Sequence, residues 1–164
     1  MSQEIIESSD IETRLVTFNL GEEIYGVDIT VIQEIIRMQD ITGVPKTANY
    51  VEGVINLRGK IIPVIDLRKK FGLSDRIETK DTRIIVVEVF EKVIAMIVDS
   101  VSRVIQLPNK NIEPPSPIIA NINANYMKGI GKLGTELIVL LNLGYVLGVD
   151  VHELDSELVA LTGA

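Results

Sequence analysis

An eighteen-residue stretch occurs twice in this chain, and this internal repeat constrains the fold more than any other feature. YVEGVINLRGKIIPVIDL, from Tyr50, aligns without a gap with YMKGIGKLGTELIVLLNL, from Tyr126. Five positions are identical, and five more keep an apolar residue in both copies. Because two apolar runs flank a short polar corner, each copy is predicted to form a β-hairpin. The repeat indicates that one structural unit is present twice.

The segments upstream of the two hairpins resemble each other more loosely. LVTFNLGEEIYGVDI, from Leu15, alternates apolar and polar residues before a Gly-Glu-Glu turn, and RIIVVEVFEKVIAMIVDSV, from Arg83, turns around Glu91 and Lys92. Each half of the chain is therefore predicted to contain a hairpin, a connecting segment and a second hairpin. Short strands at this spacing are typical of sandwiches and barrels. We expect a mostly β protein with two small, related, five-stranded barrels packed together.

The ends of the chain are predicted to lie outside the barrels. Residues 1–13 are expected to be a flexible N-terminus, and residues 14–150 a single domain made of two barrel subdomains. Residues 151–164 are expected to form an amphipathic helix, because apolar residues recur at helical spacing, at Val151, Leu154, Leu158 and Leu161.

Two segments within the domain carry specific structural predictions. Pro63 lies in an apolar strand and has no N–H to donate to a sheet, so it predicts an edge strand or a bulge. VIQEIIRM, residues 31–38, is compatible with either a helix or a strand. Its β-branched residues and short length favour a strand.

Charge and composition exclude several functional classes. The net charge of −7 argues against nucleic-acid binding, which needs a basic footprint. The most basic segment, DLRKKFG at 66–72, is predicted to form a short, solvated surface helix. Without cysteine there are no disulfides and no support for secretion. The longest apolar runs have strand length, far below the roughly 20 residues of a membrane span. We expect a soluble, cytoplasmic protein.

Catalytic and cofactor chemistry finds few candidates in the sequence. His152 is the single histidine, and without cysteine it cannot anchor an ordinary zinc site or a Cys-His pair. GIGKLG at 129–134 matches a dinucleotide-binding pattern but falls within a predicted hairpin. Asp28 and Asp99 each follow a strand, where capping of the next turn is favoured over acid–base chemistry. We therefore predict no catalytic, cofactor-binding or metal-binding residue, and no enzyme.

Arg58, at the corner of the first repeated hairpin, is the strongest candidate for a functional residue. The second copy has Gly134 and Thr135 where the first has Arg58 and Gly59, so the hairpin itself does not need an arginine. Arginine suits protein interfaces because its rigid fork donates several hydrogen bonds. Arg58 is therefore predicted to serve a partner. Glu34 either orients Arg58 or is simply solvated.

The chain resembles the CheW family of bacterial chemotaxis coupling proteins over roughly residues 14–150. The resemblance is carried by LGEEIYGVDITVIQEII, VPKTANYVEGVINLRGKIIPVIDLRKKFG and GIGKLGTELIVLLNL. Its most specific element is the Gly53–Gly59 stretch followed by the strand Ile-Pro-Val-Ile-Asp-Leu.

The resemblance implies two intertwined, five-stranded, SH3-like β-barrels with short helices and without catalytic activity. It implies an adaptor that couples the cytoplasmic tips of methyl-accepting chemoreceptors to the histidine kinase CheA through separate surfaces. It also implies assembly with the kinase regulatory domain into rings beneath the receptor array. By position, the partner-binding residues would be Arg58, Asn56, Leu57, Gly59, Gly53, Ile32 and Glu34.

Three alternatives remain at the level of sequence. An adaptor of the CheV type would append a receiver domain, and the chain stops at Ala164 without one. An excised kinase regulatory domain has the same fold, although the initiating Met and the terminal helix favour a complete protein. A small β-barrel enzyme would need a pocket with convergent polar groups.

Overall fold

The computed structural model describes residues 11–115 and 122–162, with side chains in the C-terminal helix as far as Leu154 except at position 149. The elements in chain order are β1 (Glu12–Leu20), β2 (Glu23–Asp28), β3 (Ile32–Arg37), β4 (Val51–Leu57), β5 (Lys60–Asp66), α1 (Leu67–Lys70), β6 (Arg83–Val89), β7 (Lys92–Val98), β8 (Ser100–Pro108), β9 (Ile112–Glu113), β10 (Met127–Leu133), β11 (Glu136–Leu141) and α2 (Leu143–Thr162). None of the helices described is long and apolar enough to cross a membrane.

The repeated hairpins, β4–β5 and β10–β11, have the same register residue by residue. Gly53 pairs with Val64 after an irregularity in β4, and Gly129 pairs with Leu140 after the same irregularity in β10. Each hairpin ends in a residue that caps the next helix, since Asp66 accepts a hydrogen bond from the Lys69 N–H and Asn142 accepts one from the Tyr145 N–H. The sequence repeat is therefore a structural repeat.

The two halves of the chain exchange hairpins. Sheet A has the strand order β8-β1-β2-β11-β10-β9, and sheet B has the order β3-β6-β7-β5-β4. Each sheet thus combines an upstream hairpin from one half with a repeated hairpin from the other, joined by a parallel pairing, β2 with β11 or β7 with β5. The expected mostly β, intertwined fold is confirmed. Sheet A has a sixth strand because the two-residue β9 pairs with β10.

Buried apolar residues form three clusters, one within each sheet and one between the sheets. The cluster of sheet B contains Ile55, Ile62, Val64, Ile84, Val86, Ala95 and Ile97. The cluster of sheet A contains Leu15, Ile105, Leu107, Ile138 and Leu140. The largest cluster, which we call the shared cluster, lies between the sheets and contains residues of both sheets and of α2. Because side chains alternate between the two faces of a strand, one face of each sheet contacts the cluster of that sheet and the other face contacts the shared cluster.

The C-terminal helix is longer than predicted. It begins at Leu143, eight residues before the expected start at 151, so the predicted boundary is wrong. Gly144 and Gly148 lower the helix propensity of its first two turns, which hides them in the sequence. Leu158 and Leu161, part of the predicted apolar face, lie outside the side chains described. At the other end of the chain, β1 begins at Glu12 and includes two residues expected to be flexible.

The position of Pro63 differs from the prediction, because β5 lies between β4 and β7 and is not an edge strand. The irregularity in this hairpin is in β4, not at Pro63. Val54, opposite Pro63, directs both backbone groups to Thr42, so the Pro63 nitrogen faces β7 instead. Since β5 pairs with β7 only from Val64 onward, no ladder bond is lost at Pro63. Proline is tolerated at position 63 because the neighbouring strand does not pair there with the side of β5 that lacks the N–H.

The sequence predicted that the cations of α1 would be solvated. In the structure they form ion pairs instead. Arg68 contacts Asp99 at 2.6 Å, and Lys70 contacts the buried Asp150 of α2 at 2.9 Å. Asp28 caps the turn that follows it, as predicted. Asp99 instead accepts the Gly21 N–H from the β1–β2 turn at 2.7 Å. The capping prediction for Asp99 is therefore wrong, because its partners come from distant parts of the chain.

Candidate partner-binding surfaces

The corner of the β4–β5 hairpin is a two-residue turn with an unusual backbone. Arg58 has φ of 51° and Gly59 has φ of 87°. A non-glycine residue is uncommon in this left-handed region, where asparagine or glycine is favoured. Asn56 holds the turn, since its Oδ1 accepts the Gly59 N–H at 2.9 Å. The turn keeps an arginine at a position where the backbone favours other residues.

Arg58 forms a two-pronged ion pair with Glu34. Its Nη1 donates to Glu34 Oε1 at 3.1 Å, and its Nη2 donates to Glu34 Oε2. The hydrogen bond from Arg58 lowers the pKa of Glu34 below its ordinary value of 4.5. The ion pair is therefore fully formed at a pH above 4.5, and it is lost only as the pH falls through the lowered pKa of Glu34. Of the two arrangements compatible with the sequence, Glu34 orienting Arg58 is the one present.

This ion pair joins the two edges of sheet B, since Glu34 lies on β3 and Arg58 follows β4. Beyond β3, Gln39 Nε2 donates to the Asn56 carbonyl at 3.3 Å, and Thr42 forms a bridge with Val54. The sheet therefore closes on itself. The arginine side chain remains 71% exposed, so its outer face is accessible.

An open groove of about 650 Å³ runs beside the corner and is lined by Gln39, Asp40, Thr42, Val54, Ile55, Asn56 and Ile61. Ile61 is 44% exposed. We call Glu34, Gln39, Asn56, Arg58 and Ile61 the arginine corner. Sequence reasoning missed Gln39, whose contact with Asn56 depends on closure of the sheet, and Ile61, whose exposure is hidden because it lies in an apolar run.

The remaining predicted site residues lie in the turn itself or pack within the fold. Gly59 is exposed in the turn, whereas Leu57 packs against the cluster of sheet B and Ile32 against the shared cluster. Gly53 is buried at the opposite end of β4, with φ of 141°. A Cβ at Gly53 would come within 2.0 Å of the Thr42 carbonyl oxygen, so only glycine fits. Ile32, Leu57 and Gly53 therefore have packing roles in the fold, and their role in partner binding stays a prediction.

Sheet A carries a counterpart of the arginine corner with reversed charge. Arg103 of β8 contacts Glu136, the first residue of β11, at 2.7 Å. In sheet B the edge strand supplies the acid and the hairpin the arginine, whereas in sheet A the edge strand supplies the arginine and the hairpin the acid. Leu137, the counterpart of Ile61 in the repeat, is also exposed, at 42%. We call Arg103, Glu136 and Leu137 the acidic corner.

A second surface is an apolar groove of about 230 Å³ between the two sheets. Its lining includes Leu15, Val31, Val89, Phe90, Leu140, Leu141 and Leu143, with Asp28, Glu88 and Lys128 among the polar residues. We call it the inter-sheet groove. It shares no lining residue with the arginine corner, so the chain has two separate accessible surfaces.

The exchange of hairpins creates two junctions between the sheets, and they are filled differently. On one side, Arg68 of α1 approaches the turn residue Gly21, whose Cβ would lie 3.7 Å from the guanidinium. On the other side, the counterparts in the repeat are Gly144 of α2 and the turn residue Phe90, 3.4 Å from a Cβ at Gly144. The inter-sheet groove lies at this second junction. The repeat alignment places Gly144 opposite Arg68, and this replacement of a large residue by glycine is the sequence signal of the different filling of the two junctions.

Among the side chains that the structure describes, no group of three or more histidine, aspartate or glutamate residues is arranged to hold a metal ion. GIGKLG lies in β10 and its turn, as predicted, and not at the start of a helix.

Comparison with known proteins agrees on one family. The sequence model of the CheW-like domain matches residues 14–150. The chain is 36% identical over 153 residues to the chemotaxis protein CheW of Treponema pallidum, covering 91% of this chain and 85% of that protein. It is 36% identical over 145 residues to CheW of Helicobacter pylori, covering 88% and 87%. The crystal structure of the scaffolding protein TtCheW from Thermoanaerobacter tengcongensis matches with a TM-score of 0.78 and 42% identity, covering 84% of this chain and 93% of that one.

Proposed function

This chain belongs to the CheW family, and from that premise we propose that it is a non-enzymatic chemotaxis adaptor that couples chemoreceptor tips to the histidine kinase CheA on the cytoplasmic face of the membrane. The observation that carries the proposal is the presence of two accessible surfaces without a common residue, the arginine corner and the inter-sheet groove. An adaptor that holds two partners at once needs such a pair of surfaces.

The arginine corner is the proposed contact for the kinase regulatory domain. Its guanidinium is exposed, oriented by Glu34 and flanked by the exposed Ile61. A charged group beside apolar surface is typical of the residues that dominate binding energy at interfaces. The strained turn at Arg58 supports the same proposal, because a residue kept in an unfavourable backbone conformation is typical of functional sites.

The inter-sheet groove is the proposed contact for the receptor tip, which is a helical hairpin. An apolar groove accepts the apolar face of an amphipathic helix, with anchor residues at helical spacing. The volume of about 230 Å³ fits a few side chains of such a helix. The groove also has polar side chains that can contact the polar residues flanking the apolar face of such a helix, at Asp28, Glu88 and Lys128.

The acidic corner supports the proposed assembly into rings. A domain of the same fold presents a comparable end, so a corner with exposed arginine on one molecule complements a corner with exposed glutamate on the next. Contacts between different surfaces of successive subunits close into rings or extend into filaments. Many weak contacts then act together through avidity.

The test is a binding titration of the full chain against a purified CheA regulatory domain and a receptor-tip helical hairpin. We expect Arg58→Ala to weaken binding to the kinase domain by about tenfold or more and to leave hairpin binding unchanged. We expect Val31→Glu, in the inter-sheet groove, to have the opposite selectivity. Circular dichroism verifies that each variant is folded.

Arg14→Ala is the matched control, since Arg14 is an exposed arginine on β1 in the other sheet. It should bind both partners as the wild type does. If the wild-type chain binds neither partner, the proposed function is wrong. If Arg58→Ala and Val31→Glu each weaken both partners equally, the two surfaces are not separate.

A further inference from the structure

Phe90 stands at the boundary between the inter-sheet groove and α2. It is the first residue of the β6–β7 turn, with φ of 51°, and it remains 60% exposed. An apolar aromatic side chain at an exposed turn, on a backbone that disfavours it, calls for a specific reason. The same ring lines the inter-sheet groove.

The helix accommodates the ring of Phe90 through two glycines. A Cβ at Gly148 would lie 3.0 Å from Phe90 Cε2, and a Cβ at Gly144 would lie 3.4 Å from Phe90 Cζ. His152, one further turn along, stacks on the ring at 6.4 Å between centroids. Residues 144, 148 and 152 share one helix face because they are four apart. We call Gly144 and Gly148 the glycine notch.

Glycine inside a helix is destabilising relative to alanine, so two glycines on one face need a reason in the tertiary structure. At Gly144 and Gly148 φ is not in the left-handed region, and backbone freedom is therefore not the reason. What the two positions have in common is the approach of the Phe90 ring.

We infer that the glycine notch of α2 positions Phe90 as the aromatic wall of the inter-sheet groove and thereby determines how tightly the groove binds a helical partner. This inference rests on the proposed function, in which the groove binds the receptor hairpin. Gly148 is a positioning residue, because it approaches the ring and does not line the groove, whereas Gly144 approaches the ring and also lines the groove. A change in the packing of α2 is transmitted to the groove through the Phe90 ring.

The test is Gly148→Ala in the full chain. The added methyl group displaces the ring toward the groove by a few tenths of an ångström, since 3.0 Å is too close for a carbon–carbon contact. Because the ring is largely exposed, it moves without unfolding the helix. We expect a melting temperature at or above that of the wild type, hairpin binding weaker by about fivefold or more, and unchanged binding to the kinase regulatory domain.

Glu153→Ala is the matched control, since Glu153 is an exposed residue of the same helix and the change also raises helix propensity. It should leave both affinities unchanged. In the Gly148→Ala background, Phe90→Leu removes the clash and should recover part of the lost hairpin affinity, which identifies the ring as the intermediary.

The outcomes separate the two proposals. If the wild type does not bind the hairpin, the proposed function fails. If the wild type binds and Gly148→Ala binds equally well, only the inference about the glycine notch is wrong. The same holds if Phe90→Leu lowers hairpin affinity equally in the wild-type and Gly148→Ala backgrounds, since the two positions would then be uncoupled.

Discussion

The Tyr25 hydroxyl is buried in the shared cluster and has no hydrogen-bond partner among the residues that the structure describes. Its ring is fully buried and stacks on Phe18, with 5.7 Å between centroids. Burial, and next the charge of Glu23, raise the pKa of Tyr25. A buried polar group without a partner costs about 1–3 kcal/mol of stability. The ring therefore contributes packing, while the hydroxyl opposes folding.

Tyr25→Phe is accordingly expected to raise the free energy of unfolding by about 1 kcal/mol, as measured by urea denaturation. Tyr50→Phe is the matched control, because the Tyr50 hydroxyl donates to Asp150 at 2.7 Å. That variant should lose about 1 kcal/mol. A clear loss of stability in Tyr25→Phe would mean that the hydroxyl is hydrogen-bonded after all.

Prediction of individual residues succeeded where the reasoning was local. Asp28 caps the turn directly after it, as expected for an aspartate at the end of a strand, whereas the ion pair between Arg58 and Glu34, 24 positions apart, was only one of two arrangements that the sequence left open. Asp99 was beyond such reasoning, since Arg68 and the Gly21 N–H reach it from 31 and 78 positions away in the sequence. Burial raises the pKa of Asp99, but these two hydrogen bonds outweigh burial and leave the pKa lowered.

The repeated hairpins are the elements that the sequence predicted most accurately, because turn position and apolar alternation are both local signals. The start of α2 was missed for a reason that is not local. Gly144 and Gly148 weaken the helical signal, and their purpose appears only when Phe90, from another hairpin, lies against them. Pro63 was misjudged likewise, since its tolerance depends on where the pairing with β7 begins.

Ile62 and Ile138 occupy the same position in the two hairpins and test whether the hairpins are equivalent in energy as well as in shape. They are 4% and 1% exposed, and each lies in the cluster of its own sheet. Replacing either by alanine should cost about 2–5 kcal/mol by lost burial and by the cavity that remains. Chemical denaturation of both variants measures this, with Ile77→Ala as a control, since Ile77 is 85% exposed. A large loss at one core position and a negligible loss at the other would contradict the equivalence of the hairpins, and a negligible loss at both would contradict the core role of these residues.

The whole molecule follows from the exchange of hairpins between two similar halves. Similar halves give similar ends, and the differences between those ends carry the candidate functions. The arginine corner and the acidic corner differ in the order of charge, and the two junctions differ in which partner supplies the large side chain. Self-similarity in the sequence predicted two barrels, but it could not predict which strands are shared, because hairpins within or between halves bury the same apolar faces.

The reversed charge of the two corners gives a prediction about assembly with the kinase regulatory domain. If the arginine corner forms the first contact and the acidic corner extends the assembly, Glu136→Ala should still form the one-to-one complex but not larger species. Arg58→Ala should weaken the one-to-one complex itself. Because the Arg103–Glu136 pair is exposed, loss of Glu136 should leave the fold intact.

Light scattering after size-exclusion chromatography of the mixture, at low and high salt, measures the size of these assemblies. Larger species of the wild type should diminish at high salt, since contacts between exposed charges are screened over about 8 Å at physiological ionic strength and over about 3 Å at 1 M. Assemblies of Glu136→Ala as large as those of the wild type would exclude the acidic corner from ring formation. The arginine corner would then be the one charged corner with a role in binding, and the reversed polarity would be a consequence of sequence divergence between the two halves.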